Sequence, residues 1–259
     1  MNSGIERQRA HFNSIAKRYV AGREDGNHRR VKSLIWQSAL TCLRPLQGRK
    51  IRMLEPMCGH AEGLEIARDI AGLDCDYSGF DYSDVMVEEL SRSFSEGKVW
   101  QADVTTYTPE PESFDLVMLI GGLHHVPDSA ALVVQNVSQA LRPGGMFVSF
   151  EPTSGNPVFK LIRDRIYDSN DIFDEATERA FSVAELKGFF LSAGLEEVRV
   201  IFPGLIAYVM YYNTYAFPYL NIGGARMVKS MYAVDRLFMG NWIGRIFSFA
   251  TISVWRRPA

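Results

Sequence analysis

The chain has 259 residues, 47% of them apolar and 22% charged, with a formal net charge of -2. That size and balance suit one globular core, with or without a smaller cap. They exclude a global field that draws the protein to nucleic acid or an anionic surface, and the short basic runs Arg29-Arg30 and Arg256-Arg257 do not change this. Cys42, Cys58 and Cys75 stand apart without CxxC spacing, against a disulfide framework or a zinc site. With the polar start MNSGIERQRAHF, they point to a cytoplasmic protein.

In chain order, Phe12, Ile15, Ala16 and Tyr19 have helical spacing, and Val31, Leu34, Ile35, Ala39 and Cys42 form a second helical face ended by Pro45 and Gly48. Residues 1–48 therefore read as an N-terminal helical cap. From residue 51 strands and helices alternate, which implies a parallel sheet. Strands are expected at Ile51 to Glu55, Tyr77 to Asp81, Val99 to Gln101, Phe114 to Ile120 and Met146 to Glu151. Helices are expected on Ala61, Leu64, Ala67 and Ala71, on Val85, Met86 and Leu90 after a Ser83 cap, and on Val133, Val137, Ala140 and Leu141. Arg142 to Gly145 reads as the turn into the fifth strand. Ser182 and Glu185 have capping-box spacing for a helix over 183–192, which Gly194 stops. Sixth and seventh strands are expected at Leu195 to Phe202 and Phe249 to Trp255. Insertions fall at about 152–181 and 203–247, inside a domain spanning 49–259. The most apolar stretch, Ile201 to Tyr212, is too short to cross a bilayer.

The segment Met53-Leu54-Glu55-Pro56-Met57-Cys58-Gly59-His60-Ala61-Glu62-Gly63 is an apolar strand ending in an acid, then a turn of small residues, then a helix. Ligands of a doubly wound sheet sit at such strand ends. The GxGxxG of a dinucleotide site is absent, and Glu55 repels phosphate but suits a cationic amino group. Asp81 ends the second strand, where a carboxylate can accept both ribose hydroxyls, and Asp103 follows the third, where it can accept an adenine amino group. The fourth strand runs from Phe114-Asp115 into Gly121-Gly122-Leu123-His124-His125-Val126, and the next helix ends in Leu141-Arg142-Pro143-Gly144-Gly145.

This ordered set resembles the small-molecule branch of the class I S-adenosylmethionine-dependent methyltransferases, over about residues 50 to 151. The resemblance implies an α/β fold: a Rossmann-like, seven-stranded methyltransferase sheet with N-terminal helices and a helical, aromatic insertion between the last two strands. It implies S-adenosylmethionine as cofactor and S-adenosylhomocysteine as its product. The implied cofactor-binding set is Tyr19, Glu55, Met57, Cys58, Gly59, Asp81, Tyr82, Met86, Asp103, Val104, Ile120 and Gly121. Met57 and Ala61 replace two glycines of the usual loop. The string His11 to Tyr19, followed by His28-Arg29-Arg30 and Lys32, is similar to the quinone C-methyltransferases, in which this helix covers the cofactor.

Methyl transfer from a sulfonium is an in-line displacement, so alignment dominates and a base is needed only if the accepting atom carries a proton. His124 and His125, just past the fourth strand, are candidate bases or loop caps, and Glu151, at the end of the fifth, is a third candidate. Between Ile201 and Ala225 there is no charged residue, and Tyr208, Tyr211, Tyr212 and Tyr215 suit a hydrophobic or aromatic acceptor, core packing, or a peripheral membrane contact. The expectation is methylation of a small, largely apolar acceptor, at oxygen before carbon, with no metal. The alternatives are C-methylation of a lipid quinone-like acceptor, and a protein of this fold that uses the cofactor for other chemistry or serves as a non-catalytic binding subunit. The absence of a basic stripe argues against nucleic acid.

Overall fold

The computed structural model describes residues 23–93, 97–157, 179–214 and 217–259. The helix expected over 12–19 and most of the first insertion lie outside them. Helix α1 (Gly26–Ala39) begins where the Asp25 carboxylate accepts the N–H groups of Asn27 and His28. Its buried face carries the expected Val31, Ile35 and Ala39, but also His28, Lys32 and Trp36. A 3-10 segment (Leu40–Leu46) then leads to the sheet.

The sheet comprises β1 (Lys50–Pro56), β2 (Asp74–Asp81), β3 (Gly97–Gln101), β4 (Phe114–Ile120), β5 (Leu141–Pro152), β6 (Glu196–Ile201) and β7 (Ala250–Arg256). Their order is β3-β2-β1-β4-β5-β7-β6, with β7 antiparallel to both neighbours and the other pairings parallel. The apolar run of β4 is buried on both faces, as a central strand requires. Leu116 and Met118 point into a core shared with α1, while Val117 and Leu119 point into one shared with α4 (Ala130–Ser138) and α5 (Val183–Ser192).

Three local expectations are corrected. Ala61 does not belong to a helix over 61–71; it turns the chain at φ 59°, and α2 is only Glu62–Glu65, followed by a π-type turn over Ile66–Ile70 and, after β2, by α3 (Asp84–Ser93). Leu141 opens β5 instead of closing α4. Arg142 to Gly145 is no turn between elements: Phe114 faces Leu141 and Leu116 faces Met146, so these residues loop out within the bounds of the strand. The capping box at Ser182 and Glu185 is present, and Gly194 at φ 77° follows the end of α5.

The second insertion folds as α6 (Ile206–Tyr211), α7 (Ala225–Arg236) and α8 (Trp242–Phe247). Six residues are too few to form a helix unaided. The buried Asp235 of α7 supplies the missing support, accepting the N–H groups of Ile206 (3.1 Å) and Ala207 (2.7 Å) at the start of α6. Burial raises this carboxyl to about 6, while the same backbone donors pull it down.

Candidate active site

The site lies where β1, β2, β4 and β5 end. After β1 the chain reverses through three left-handed residues, Met57 (φ 54°), Gly59 (φ 48°) and Ala61 (φ 59°). The two side-chain-bearing residues thus keep a glycine-like backbone at the two departures from the usual loop, each under about 1 kcal/mol of strain. Ala61→Gly is expected to stabilise the fold by about 0.5 kcal/mol, since strain relief exceeds the added chain entropy. A lower urea midpoint in the variant is the opposing result.

Two acids hold this turn. Asp81, at the end of β2, accepts Gly59 N (2.9 Å) and Ser83 N (2.9 Å), and burial raises its carboxyl while these donors lower it. Glu55 is buried, accepting Gly63 N (2.6 Å), Leu64 N (3.2 Å) and the Tyr77 hydroxyl (3.0 Å). Desolvation lifts it to about 7 against those bonds. The resemblance set Glu55 facing a ligand; the contacts within the chain that engage it are those of the helix start and Tyr77. Two glycines make this packing feasible, and sequence reasoning gave neither this role. A Cβ on Gly63 would stand 2.7 Å from the Glu55 carboxylate, and one on Gly79 2.5 Å from the Tyr77 hydroxyl.

The other acids and apolar residues follow strand by strand. Asp103, beyond β3, accepts Thr105 N (2.8 Å) and its hydroxyl (2.7 Å) through one oxygen, and the other is unengaged among the described residues. Met86 and Val104 are buried, Tyr82 is partly buried, and Cys58 sits in the turn with its N–H donated to Phe80 O (3.0 Å). Ile120 ends β4, and Gly121 turns away at φ 63°. The Met57 side chain abuts Gly122, where a Cβ would lie 2.8 Å from its sulfur, so the turns after β1 and β4 meet.

Glu151 is the hub of the second turn. It is 0% exposed, and it accepts the N–H groups of Gly122 (3.0 Å), Leu123 (2.8 Å) and His124 (3.3 Å), with His124 Nδ1 at 2.9 Å. A carboxylate at Nδ1 places the ring proton there and makes Nε2 the basic nitrogen. The His125 ring packs 3.9 Å from that of His124. Glu151 stands at the end of β5 as the sequence places it, and the loop after β4 wraps its carboxylate with three backbone donors.

Helix α1 closes one side. Lys32, buried, pairs with Glu62 (3.2 Å) and Glu65 (2.8 Å), and Arg23 also pairs with Glu62. Burial lowers the Lys32 ammonium and Glu65 opposes this. Tyr208 and Tyr212 stack at 4.7 Å, and both rings meet Phe150, the residue before Glu151. Tyr212 is tied to α1 by Trp36 Nε1 (3.3 Å) and His28 Nδ1 (2.6 Å to its carbonyl). Desolvation lowers His28 to about 4, so the ring is neutral. Tyr211 is fully buried and donates to Ile222 O (3.1 Å). Tyr19 and Tyr215 lie outside the described residues. Among the described residues, no group of three or more potential ligands is arranged for a metal.

Residues 53–145 match the family model described as a methyltransferase domain. The demethylmenaquinone methyltransferase of Staphylococcus carnosus (strain TM300) is 25% identical over 186 residues, which cover 64% of this chain and 76% of that protein. Among solved structures, a SAM-dependent methyltransferase from Thermotoga maritima superposes with a TM-score of 0.61 at 16% identity, covering 96% of this chain and 99% of that one. A phosphoethanolamine N-methyltransferase of Haemonchus contortus, bound to phosphomonomethylethanolamine and S-adenosylhomocysteine, superposes at 0.56 with 15% identity, covering 86% and 53%.

Proposed function

We propose an acceptor and a base for this chain, which is a class I S-adenosylmethionine-dependent methyltransferase: the acceptor is a hydroxylated aromatic molecule with an apolar body, and His124 is the base. The observation that carries the reading is the pair His124–Glu151, where the carboxylate fixes the ring with Nε2 as its basic nitrogen.

S-adenosylmethionine supplies an electrophilic methyl group when bound. The chain offers a donor set that fits such a ligand: the left-handed turn from Met57 to Ala61 for the methionine part, Asp81 for the ribose, and Asp103, with one oxygen unengaged, for the adenine. Tyr82, Met86, Val104, Ile120 and Gly121 complete the wall. His124 takes the phenolic proton, which raises electron density on the oxygen and on the ring carbons beside it. Glu151 then acts on the reaction through His124 as a positioning residue. Tyr208 and Tyr212, joined to the loop through Phe150, form the apolar side of the acceptor pocket.

Both O- and C-methylation can proceed from that phenolate. The similarity to a demethylmenaquinone methyltransferase favours a ring carbon of a lipid quinol-like acceptor. Methyl-labelled S-adenosylmethionine, incubated with demethylated naphthoquinols and simpler phenols, distinguishes the two, because nuclear magnetic resonance of the product locates the label. His124→Asn is expected to lower kcat at least about 100-fold with cofactor affinity unchanged. Label in none of these acceptors rejects the reading.

A further inference from the structure

We infer that the outer face of α7 and α8 docks the protein on an anionic phospholipid surface. The inference goes beyond the acceptor reading and does not depend on which atom is methylated.

The face is apolar where a soluble surface should be polar. Leu237 is 70% exposed and Trp242 68%, with Val234, Ile246 and Phe247 exposed around them. On α7 the buried face is Val228, Tyr232 and Asp235, so Val234 and Leu237 project from the opposite side. Gly244 packs α8 against the end of α7 so closely that a Cβ would lie 2.2 Å from Phe238 O. That contact seats α8 on the residues just after Leu237, while Trp242 and Ile246, one turn apart on α8, point away from it and are exposed. A cluster of this kind marks an interaction surface.

Charge selects the occupant. Between Arg199 and Arg256 the only acid is Asp235, which is buried under α6, whereas Arg226, Lys229, Arg236 and Arg245 are all exposed. The overall charge of -2 therefore conceals a segment, residues 200–255, whose exposed charges among the described residues are all positive. Exposed tryptophan and leucine rimmed by arginine match an interface with anionic headgroups, where the rings enter the boundary and the guanidinium groups meet phosphate. No described helix is long and apolar enough to cross a membrane, so the contact is peripheral.

The test is sedimentation of the full chain with vesicles of equal parts phosphatidylglycerol and phosphatidylcholine, against phosphatidylcholine alone. The protein is expected to partition to the anionic vesicles and to be released by salt. Arg236→Gln with Arg245→Gln should lower the partition about 25-fold, roughly fivefold per charge. Leu237→Ser with Trp242→Ser should lower it at least about tenfold. These side chains are exposed, so thermal unfolding and cofactor affinity should match the parent, as should methylation of a water-soluble acceptor. Loss of that methylation in the parent as well is a failure of the acceptor reading, not of docking. Equal partition of parent and variants, or no partition of the parent, overturns the inference. So does a parent dimer that these substitutions dissociate without any vesicle binding, since the face then covers a second copy.

Discussion

Glu151→Gln is expected to lose about 2–4 kcal/mol of stability and at least 100-fold in kcat. The carboxylate is fully buried and gathers Gly122 N, Leu123 N, His124 N and His124 Nδ1. An amide replaces one acceptor oxygen by a donor, so at least one buried N–H faces another and is left without a partner, at about 1–3 kcal/mol, in addition to the lost charge-assisted bonds. The rate loss has a separate signature. Without the carboxylate the His124 imidazolium has no counter-charge, so the acid limb of the pH–rate profile should move to lower pH. A merely structural loss scales the profile without displacing it. Urea unfolding and a pH–rate series check both halves, and a variant that keeps the parent's midpoint and profile removes Glu151 from the mechanism.

Asp81→Ala is expected to weaken S-adenosylmethionine binding by about 100-fold, near 3 kcal/mol. Two effects combine. The variant lacks the acceptor for ribose hydroxyls, and it releases Gly59 N, whose bond to Asp81 pins the left-handed turn to β2. Asp81→Asn retains the hold on Gly59 through its amide oxygen, while its amide nitrogen stands where Ser83 N donates and a ribose hydroxyl would; roughly tenfold weakening is expected. Isothermal calorimetry measures both. Unchanged affinity in Asp81→Ala moves the cofactor away from the end of β2. Asp103→Ala should cost less, since it releases only Thr105 of its own loop and no part of the turn after β1.

Strands were most legible where an apolar run stands between polar turns, and Phe114 to Ile120 matches its observed bounds. Asp81, Asp103 and the loop from Gly121 to His124 could be placed because a parallel sheet puts the end of each strand on one rim. What escaped was chemistry between distant segments. Lys32 and His28 share the inward face of α1 with Val31 and Ile35, yet a pattern of apolar residues alone ignores charged ones; their burial becomes visible only when Glu62, Glu65 and the Tyr212 carbonyl are in place. Glu151 looked like a rim acid because nothing in its neighbours shows that three amides will converge on it. Gly63 and Gly79 read as ordinary glycines until Glu55 and Tyr77 occupy the space a Cβ needs. The tyrosines could be read as pocket or core; Tyr208, Tyr211 and Tyr212 are all buried, and the Tyr211 hydroxyl donates to Ile222 O.

The position of β7 between β5 and β6 bears on how the chain reaches this state. It follows β6 by almost fifty residues and β5 by about a hundred, so its pairings are among the most distant in sequence. During synthesis β6 emerges with no strand to bind, and β5 presents an open edge until Ala250 to Arg256 arrive. A ribosome that stalls after α7 therefore leaves two unpaired edges beside the apolar rings of α6, a state prone to join other chains. The sheet can close only after this last strand is made, because β6 joins β5 solely through it.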